Sequence, residues 1–308
     1  MGETKCLDVL SVEGIQSQFR SKFEARLAGN NDQASILWKA DSKSVIKEYL
    51  EFVGGIQARE LAVLDFMLKN KHWHDDLVIK PEDVRRGKTG QIMARVGEFA
   101  ITTADHPLEL LGSVIVAGGS TKCFDGGNFY SITHQWGDSG VWSNDIAVGD
   151  YAELNVADAP NPTPLEMTKI VGKMVQHQLK YENDRGKKMN GQARRFVLHV
   201  PVNMVNAADQ AVKRTTLTGV VDNHRLGSMF SVSVVPNLDL TSTTQIHLFR
   251  VDAKLKPFIY QEEVPLELKI FWEDSEYAKL NQQYSLLAEA WYNVGVGVPQ
   301  YATRATLS

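Results

Sequence analysis

GKTGQIMARVGEFAITTADHPLELLGSVIVAGGSTKC, running from Gly87 to Cys123, is the stretch whose reading organises the rest of the chain. Ile92, Met93, Val96, Phe99 and Ala100 recur at helical spacing and share one face. Gln91, Arg95, Glu98 and Thr102 fall on the other. After Pro107 the period resumes through Leu108, Leu111, Val114 and Ile115. One helix through both halves, Lys88 to Ala117, would be about 45 Å long at 1.5 Å per residue. Pro107 removes one ladder hydrogen bond and crowds the preceding turn, so the spacing predicts a bend or restart there rather than an end. Gly118 and Gly119 terminate the helix, because glycine reaches the left-handed conformation at little cost. Cys123-Phe124-Asp125-Gly126-Gly127-Asn128-Phe129-Tyr130 then reads as a turn between short apolar runs. Strand-like segments lie before this helix and far after it. The chain therefore leaves a core and returns to it.

The chain has 308 residues, 43% of them hydrophobic, enough for a large core. That length fits one large domain or about two to three small ones. The net charge of −4 lacks the basic excess of a dedicated nucleic-acid binder. Two cysteines, Cys6 and Cys123, cannot build a disulfide framework and point to a reducing compartment. No apolar run reaches the roughly eighteen residues of a membrane-spanning helix. Met1 to Leu10 lack a secretory apolar core.

Toward the N-terminus, Phe19, Phe23 and Leu27 at four-residue spacing predict a short amphipathic helix, broken by Gly29-Asn30-Asn31-Asp32. It serves either as an arm on a neighbour or as a helix on its own domain. Residues 34–80 read as extended. Val45, Ile46, Tyr49, Phe52 and Val53 precede an interruption at Gly54-Gly55, and Trp73, Leu77 and Ile79 alternate in a second piece. Helix competes for Gln57 to Leu68. If extended, this two-stranded excursion is marginal alone in water and needs a cover from its own domain or another subunit. Pro81-Glu82-Asp83 opens the central helical region.

Residues 124–160 are rich in loops. Thr163, Pro164 and Glu166 form a helix start, and Leu165, Ile170, Met174, His177 and Tyr181 follow on one face. Arg195 to Val200 is an apolar strand, Val202 to Lys213 a helix, and Phe230 to Val235 a strand, which together suggest a compact α/β subdomain. Gln245 to Arg250, Pro257 to Tyr260, Leu266 to Trp272 and Tyr284 to Val298 are further strands, the last interrupted by Gly295 and Gly297.

Several motifs imitate chemistry. His72 and His74, at i and i+2, share one face of a strand and could chelate a metal. The sequence places no third ligand, and Lys69 and Lys71 flank the pair, so a polar strand face is the preferred reading. Gly137-Asp138-Ser139-Gly140 copies the nucleophile segment of chymotrypsin-like proteases, and His106 lies upstream. That histidine sits inside the central helix, whereas such proteases are double β-barrels. Ala117 to Lys122 is glycine-rich near a lysine but lacks phosphate-loop spacing and follows a helix. Arg185, Lys187, Lys188, Arg194 and Arg195 form a basic loop suited to a solvated or subunit-facing surface, with a weak phosphate contact as the alternative. His177 reads as a core or edge histidine. Cys123 reads as a buried small hydrophobe. No catalytic residue, metal or cofactor is assigned.

Cys123 to Tyr130 followed by His134 resembles a segment of the major head subunit of Mu-like phages and prophages. So do Lys80-Pro81-Glu82-Asp83-Val84, His106-Pro107-Leu108-Glu109-Leu110 and Lys256-Pro257-Phe258-Ile259-Tyr260-Gln261-Glu262. The ending Tyr292-Asn293-Val294-Gly295-Val296-Gly297 is similar to that family's closing strand. Together these motifs span about residues 35 to 298, in the same order. The resemblance implies an α+β fold of the Hong Kong 97 capsid type. It divides the chain into an N-terminal arm at 1–30, an extended β-ribbon loop at 31–80 and a peripheral domain with the spine helix at 81–120. An axial α/β domain at 121–250 follows, and 251–308 holds the returning peripheral strands and a C-terminal tail. Pro299 to Ser308 depart from the aromatic ending the resemblance implies.

The resemblance further implies a major capsid protein that self-assembles through hexamers and pentamers into an icosahedral head around double-stranded DNA. Its implied partners are copies of itself, portal, separate scaffolding and protease proteins, a decoration protein, and DNA held without sequence preference. Its implied place is the virion, after assembly in the cytoplasm of a bacterial host, with no membrane partner. Tyr49, Phe52, Val53, Gly54, Gly55 and Trp73 of the extended loop become subunit-interface residues. The alternatives are an encapsulin-like compartment of the same fold and, from a different class, a serine hydrolase using Ser139.

Overall fold

Residues 10–40, 68–136, 139–182, 186–213 and 230–308 are described by a computed structural model. Tyr49, Phe52, Val53, Gly54, Gly55 and Arg185 lie outside them, as do Gly137 and Asp138. The chain divides into two units. The first comprises Met1–Asn31, Lys69–Leu108 and Gln261–Asn293, and the second Asp32–Leu68, Glu109–Tyr260 and Val294–Ser308. Among the described residues no helix is long and apolar enough to cross a membrane.

In the first unit, helix α1 (Val12–Gly29) starts at Ser11, whose side chain accepts from the Gly14 N–H at 3.1 Å. Ile15 and Phe19 are buried beside Val96 and Phe99, so this helix packs on its own unit. Of the three stripe residues, Phe19 is buried while Leu27 is 45% exposed, and the apolar face stops a turn early. Arg26 Nε donates instead to Asp105 at 2.7 Å, and Asn30 Nδ2 to the same carboxylate at 2.8 Å. Strand β2 (Lys71–Ile79) and the short helix α2 (Pro81–Arg85) precede the central helix, while strand β1 (Leu37–Ala40) belongs to the second unit.

Helix α3 (Thr89–Ala117) runs 29 residues with Pro107 inside it. The division between the units falls one residue later. Proline in a helix interior costs about 3 kcal/mol. Ile92, Val96 and Phe99 are buried before it, Leu111 and Ile115 after it. Each buried side chain of this size contributes about 1.5–3 kcal/mol, so the five outweigh the penalty and the helix continues.

The second unit contains β3 (His134–Gln135), β4 (Val141–Trp142), β5 (Asp145–Ala147), α4 (Pro164–Leu179), β6 (Arg195–Val200), α5 (Val205–Lys213), β7 (Ser231–Pro236) and β8 (Gln245–Arg250). The capping box before α4 forms as the sequence predicts: Glu166 N–H donates to Thr163 Oγ1, and Glu166 Oε2 accepts from the Thr163 N–H. After these come β9 (Phe258–Phe271), α6 (Glu276–Asn281), β10 (Tyr284–Val296) and β11 (Ala302–Thr306). A five-stranded mixed sheet has the order β5-β11-β8-β6-β7. β6 and β7 are parallel, the pairing expected of a strand–helix–strand crossover. Met167, Ile170, Val171 and Met174 of α4 and Ala208 of α5 share a core with Phe196, Leu198 and Ile246.

A four-stranded sheet has the order β1-β9-β10-β2. β10 runs antiparallel to β2, from Tyr284 opposite Ile79 to Tyr292 opposite Lys71. Two features depart from the sequence reading. The strands expected at Pro257–Tyr260 and Leu266–Trp272 merge into one fourteen-residue strand, Phe258–Phe271, because the polar residues between them have partners: Gln261 Nε2 donates to Asn70 Oδ1 at 2.9 Å, and Glu263 accepts from Asn70 Nδ2 at 3.0 Å. The last ten residues include a strand, β11, that lies inside the five-stranded sheet, parallel to β5 and antiparallel to β8.

Candidate functional site

The turn that follows α3 is held by a dense set of polar contacts. Cys123 N–H donates to Gly127 O at 2.9 Å and Gly126 N–H to Cys123 O at 3.0 Å. Gly126 takes a φ of 80°, which requires glycine at this tight reversal. Phe129 N–H and Tyr130 N–H then return to Thr121 O and Gly118 O, closing the loop on the helix end.

Within this loop Asp125 gathers three donors. Its Oδ1 accepts from the Gly127 N–H at 3.0 Å and from the Cys123 thiol at 2.7 Å. Its Oδ2 meets His134 Nδ1 at 2.6 Å. The other ring nitrogen, His134 Nε2, faces Asn144 Oδ1 at 3.1 Å and Phe129 O at 3.3 Å. Asn144 is fixed in turn: Oδ1 accepts from the Ser131 N–H, and Nδ2 donates to Phe129 O and Pro299 O. Trp142, opposite His134 across the β3–β4 pair, stacks on its ring at 4.4 Å. Burial and the neighbouring Asp125 charge push the Cys123 thiol far up from its ordinary range. Burial works to raise the Asp125 carboxyl, but its bonds to His134 and Cys123 outweigh this and hold it below the usual value. Cys123 is thus buried, as its apolar neighbours suggest, but polar in its contacts. The sequence reading missed this network. The available signal was an aspartate two residues after the cysteine, a glycine pair, and a histidine nine residues beyond.

Residues 44–157, which contain α3 and this turn, match the family described as the Mu-like prophage major head subunit gpT. Over that stretch the chain is similar to this family. No curated protein gives a significant match. Among solved structures, the chain is similar to the mature capsid of bacteriophage PhiM1, with 13% identity, a TM-score of 0.48, and coverage of 79% of this chain and 72% of that one. It is also similar to the procapsid of bacteriophage JBD30, with 16% identity, a TM-score of 0.46, and coverage of 96% and 74%. A third is the virus-like particle from Pyrococcus furiosus, with 10% identity, a TM-score of 0.40, and coverage of 76% and 75%.

The other motifs have structural partners. His72 and His74 share one face of β2, their rings 5.4 Å apart. His72 Nε2 bonds Glu289 Oε1 at 2.8 Å and stacks on Trp291. Glu289, opposite His74, is the carboxylate the sequence did not place, and it also accepts from Lys269. Trp73 is half-buried on the opposite face: Nε1 donates to Tyr292 O at 3.0 Å and its ring meets His106 at 4.5 Å. Ser139 Oγ accepts from the Trp136 N–H and donates to Gly140 O, both at 3.0 Å, so its proton serves a turn. His106, in α3, bonds the Tyr292 hydroxyl.

The basic loop is divided. Lys188 Nζ donates to Glu182 and to Lys180 O, while Arg194 donates to Ala193 O and lies over Phe230. Lys187 and Arg195 are exposed. His177 bonds the Tyr181 hydroxyl at 3.2 Å, and burial, with Lys180 and Lys173 nearby, lowers its pKa.

Proposed function

We propose that this subunit self-assembles through hexamers and pentamers into the icosahedral head of a tailed phage or prophage, enclosing double-stranded DNA. The family match over residues 44–157 is the observation that carries this reading. The role is mechanical: a closed shell needs heterologous contacts whose rotations close. Residues 1–30 act as an arm, 31–80 as an extended loop and 81–120 as the spine region. Residues 121–250 act as the axial domain, and 251–308 as the returning peripheral segment. The subunit is part of the virion and is assembled in the host cytoplasm with portal, scaffolding, protease and decoration proteins. The basic residues Arg185, Lys187, Lys188, Arg194 and Arg195 meet phosphate or a neighbouring subunit.

The extended loop supplies the principal lateral contact. Tyr49, Phe52 and Val53, with the Gly54-Gly55 turn and Trp73, bury apolar surface against a second copy. Each large side chain contributes about 1.5–3 kcal/mol, so a few dominate the contact. Replacing Val53 to Gln57 with a short Gly-Ser turn tests this. The variant is expected to retain the wild-type circular dichroism and melting temperature yet fail to form particles in sedimentation. Full shells from the variant would show that the loop is not the contact, and outright unfolding would place it in the subunit's own core.

A further inference from the structure

Cys123, Asp125 and His134 each present one ligand atom, and all of these lie within 4.8 Å of one another. They come from two separate segments, the turn after α3 and strand β3, so the convergence is tertiary. The site is enclosed: Cys123 is 4% exposed, His134 1%, and the Asp125 side chain 4%. His134 Nε2 faces two carbonyl oxygens, Asn144 Oδ1 and Phe129 O, and therefore carries a proton. Nδ1 meets Asp125 Oδ2 at 2.6 Å, a hydrogen-bond separation, and an ion held by both atoms would replace that hydrogen bond. The Cys123 thiol turns onto the other oxygen of the same carboxylate at 2.7 Å, so sulfur, oxygen and nitrogen converge on one point.

We propose that these three residues bind a borderline divalent transition ion, zinc by its donor set. One thiolate, one carboxylate and one imidazole are the mixed sulfur, oxygen and nitrogen ligands that Zn2+ takes. A dication with one thiolate and one carboxylate leaves the buried site neutral, which avoids an uncompensated charge. The Nε2 bond to Asn144 orients the ring from outside, as the outer partners of metal-bound histidines do. Binding displaces the thiol proton and the hydrogen between His134 Nδ1 and Asp125, and clips β3 to the turn that ends the central helix.

The full chain, stripped with a chelator and dialysed against Zn2+, is expected to retain about one ion per subunit and to melt at a higher temperature than the stripped protein. Co2+ in its place should give a near-ultraviolet thiolate-to-cobalt absorption band, which Cys6→Ser should leave intact. Cys123→Ser should lose the band, while the His72→Ala, His74→Ala double variant should keep both the band and the stoichiometry. Wild-type protein that retains no zinc and shows no shift in melting overturns the proposal. So does metal that disappears in the double variant but stays in Cys123→Ser.

Discussion

Arg304 and Lys269 both end at a carboxylate, yet their removal should have very different consequences. Arg304, on the inner strand β11, grips Asp145 with Nε and a terminal nitrogen at 2.9 and 2.6 Å, and lies over the buried Tyr130 ring. Arg304→Ala leaves Asp145 without its cation inside the sheet and is expected to cost about 3 kcal/mol in chemical denaturation. Lys269 meets Glu289 on an exposed face, where water screens the pair, and Lys269→Ala should leave the denaturation midpoint close to its wild-type value. Two buried histidines set the response to acid. His199 and His247 face each other across β6 and β8, each with Nε2 unpartnered among the described residues. His199 Nδ1 meets Asn237 and His247 Nδ1 meets the Tyr130 hydroxyl, with Arg304 opposite His247 on β11. Burial lowers His199 to about 3; burial, then Arg304 and His199, lower His247 as well. Unfolded, both titrate near pH 6.5, so below that value the unfolded chain binds more protons and stability falls as pH falls. The slope between pH 6 and 5 is expected to be about 1.4 kcal/mol per unit for each histidine. His199→Gln should remove one such contribution in denaturation curves at those two pH values; an unchanged slope would show that His199 takes up no proton on unfolding.

Glycines along α3 show how an element's neighbours decide a substitution. A Cβ on Gly118 would stand 2.6 Å from the Tyr130 ring, which is buried and hydrogen-bonded. A Cβ on Gly112 would meet the exposed Asp239 side chain, whose carboxylate can swing away and whose Cβ stands 3.2 Å off. Alanine gains up to about 1 kcal/mol of helix propensity at Gly112, inside the helix, and not at Gly118, just past its end. Gly112→Ala should therefore be neutral or stabilising, and Gly118→Ala destabilising by about 1–3 kcal/mol, because the ring has nowhere to go. Thermal melts of the two variants decide it. The central helix was legible because its period runs through Pro107 on both sides, and α4 because Thr163, Pro164 and Glu166 announce its start. β6 and β8 were legible as apolar runs. β9 was split because Gln261 and Glu263 look like a break until Asn70 is placed beside them. β11 was missed because Ala302 to Thr306 carry small and polar side chains, whose burial comes from β5 and β8 rather than from any periodicity of their own. The turn at Cys123 to Tyr130 was legible as a turn, but its convergence with His134 and Asn144 depends on tertiary placement that spacing does not encode.

A head shell confines its DNA without needing tight attachment. With a net charge of −4, the subunit is expected to bind duplex DNA weakly and without sequence preference near physiological salt, where counterion release contributes less. Nanomolar, sequence-selective binding in a filter or anisotropy assay would be incompatible with this. Self-association carries more of the account than DNA contact does. Particle mass measured by analytical ultracentrifugation, with electron microscopy of the same fractions, tests it most directly. The account predicts closed shells of megadalton mass and uniform diameter. A discrete assembly of a few subunits, at any concentration reached in the host cell, would contradict it.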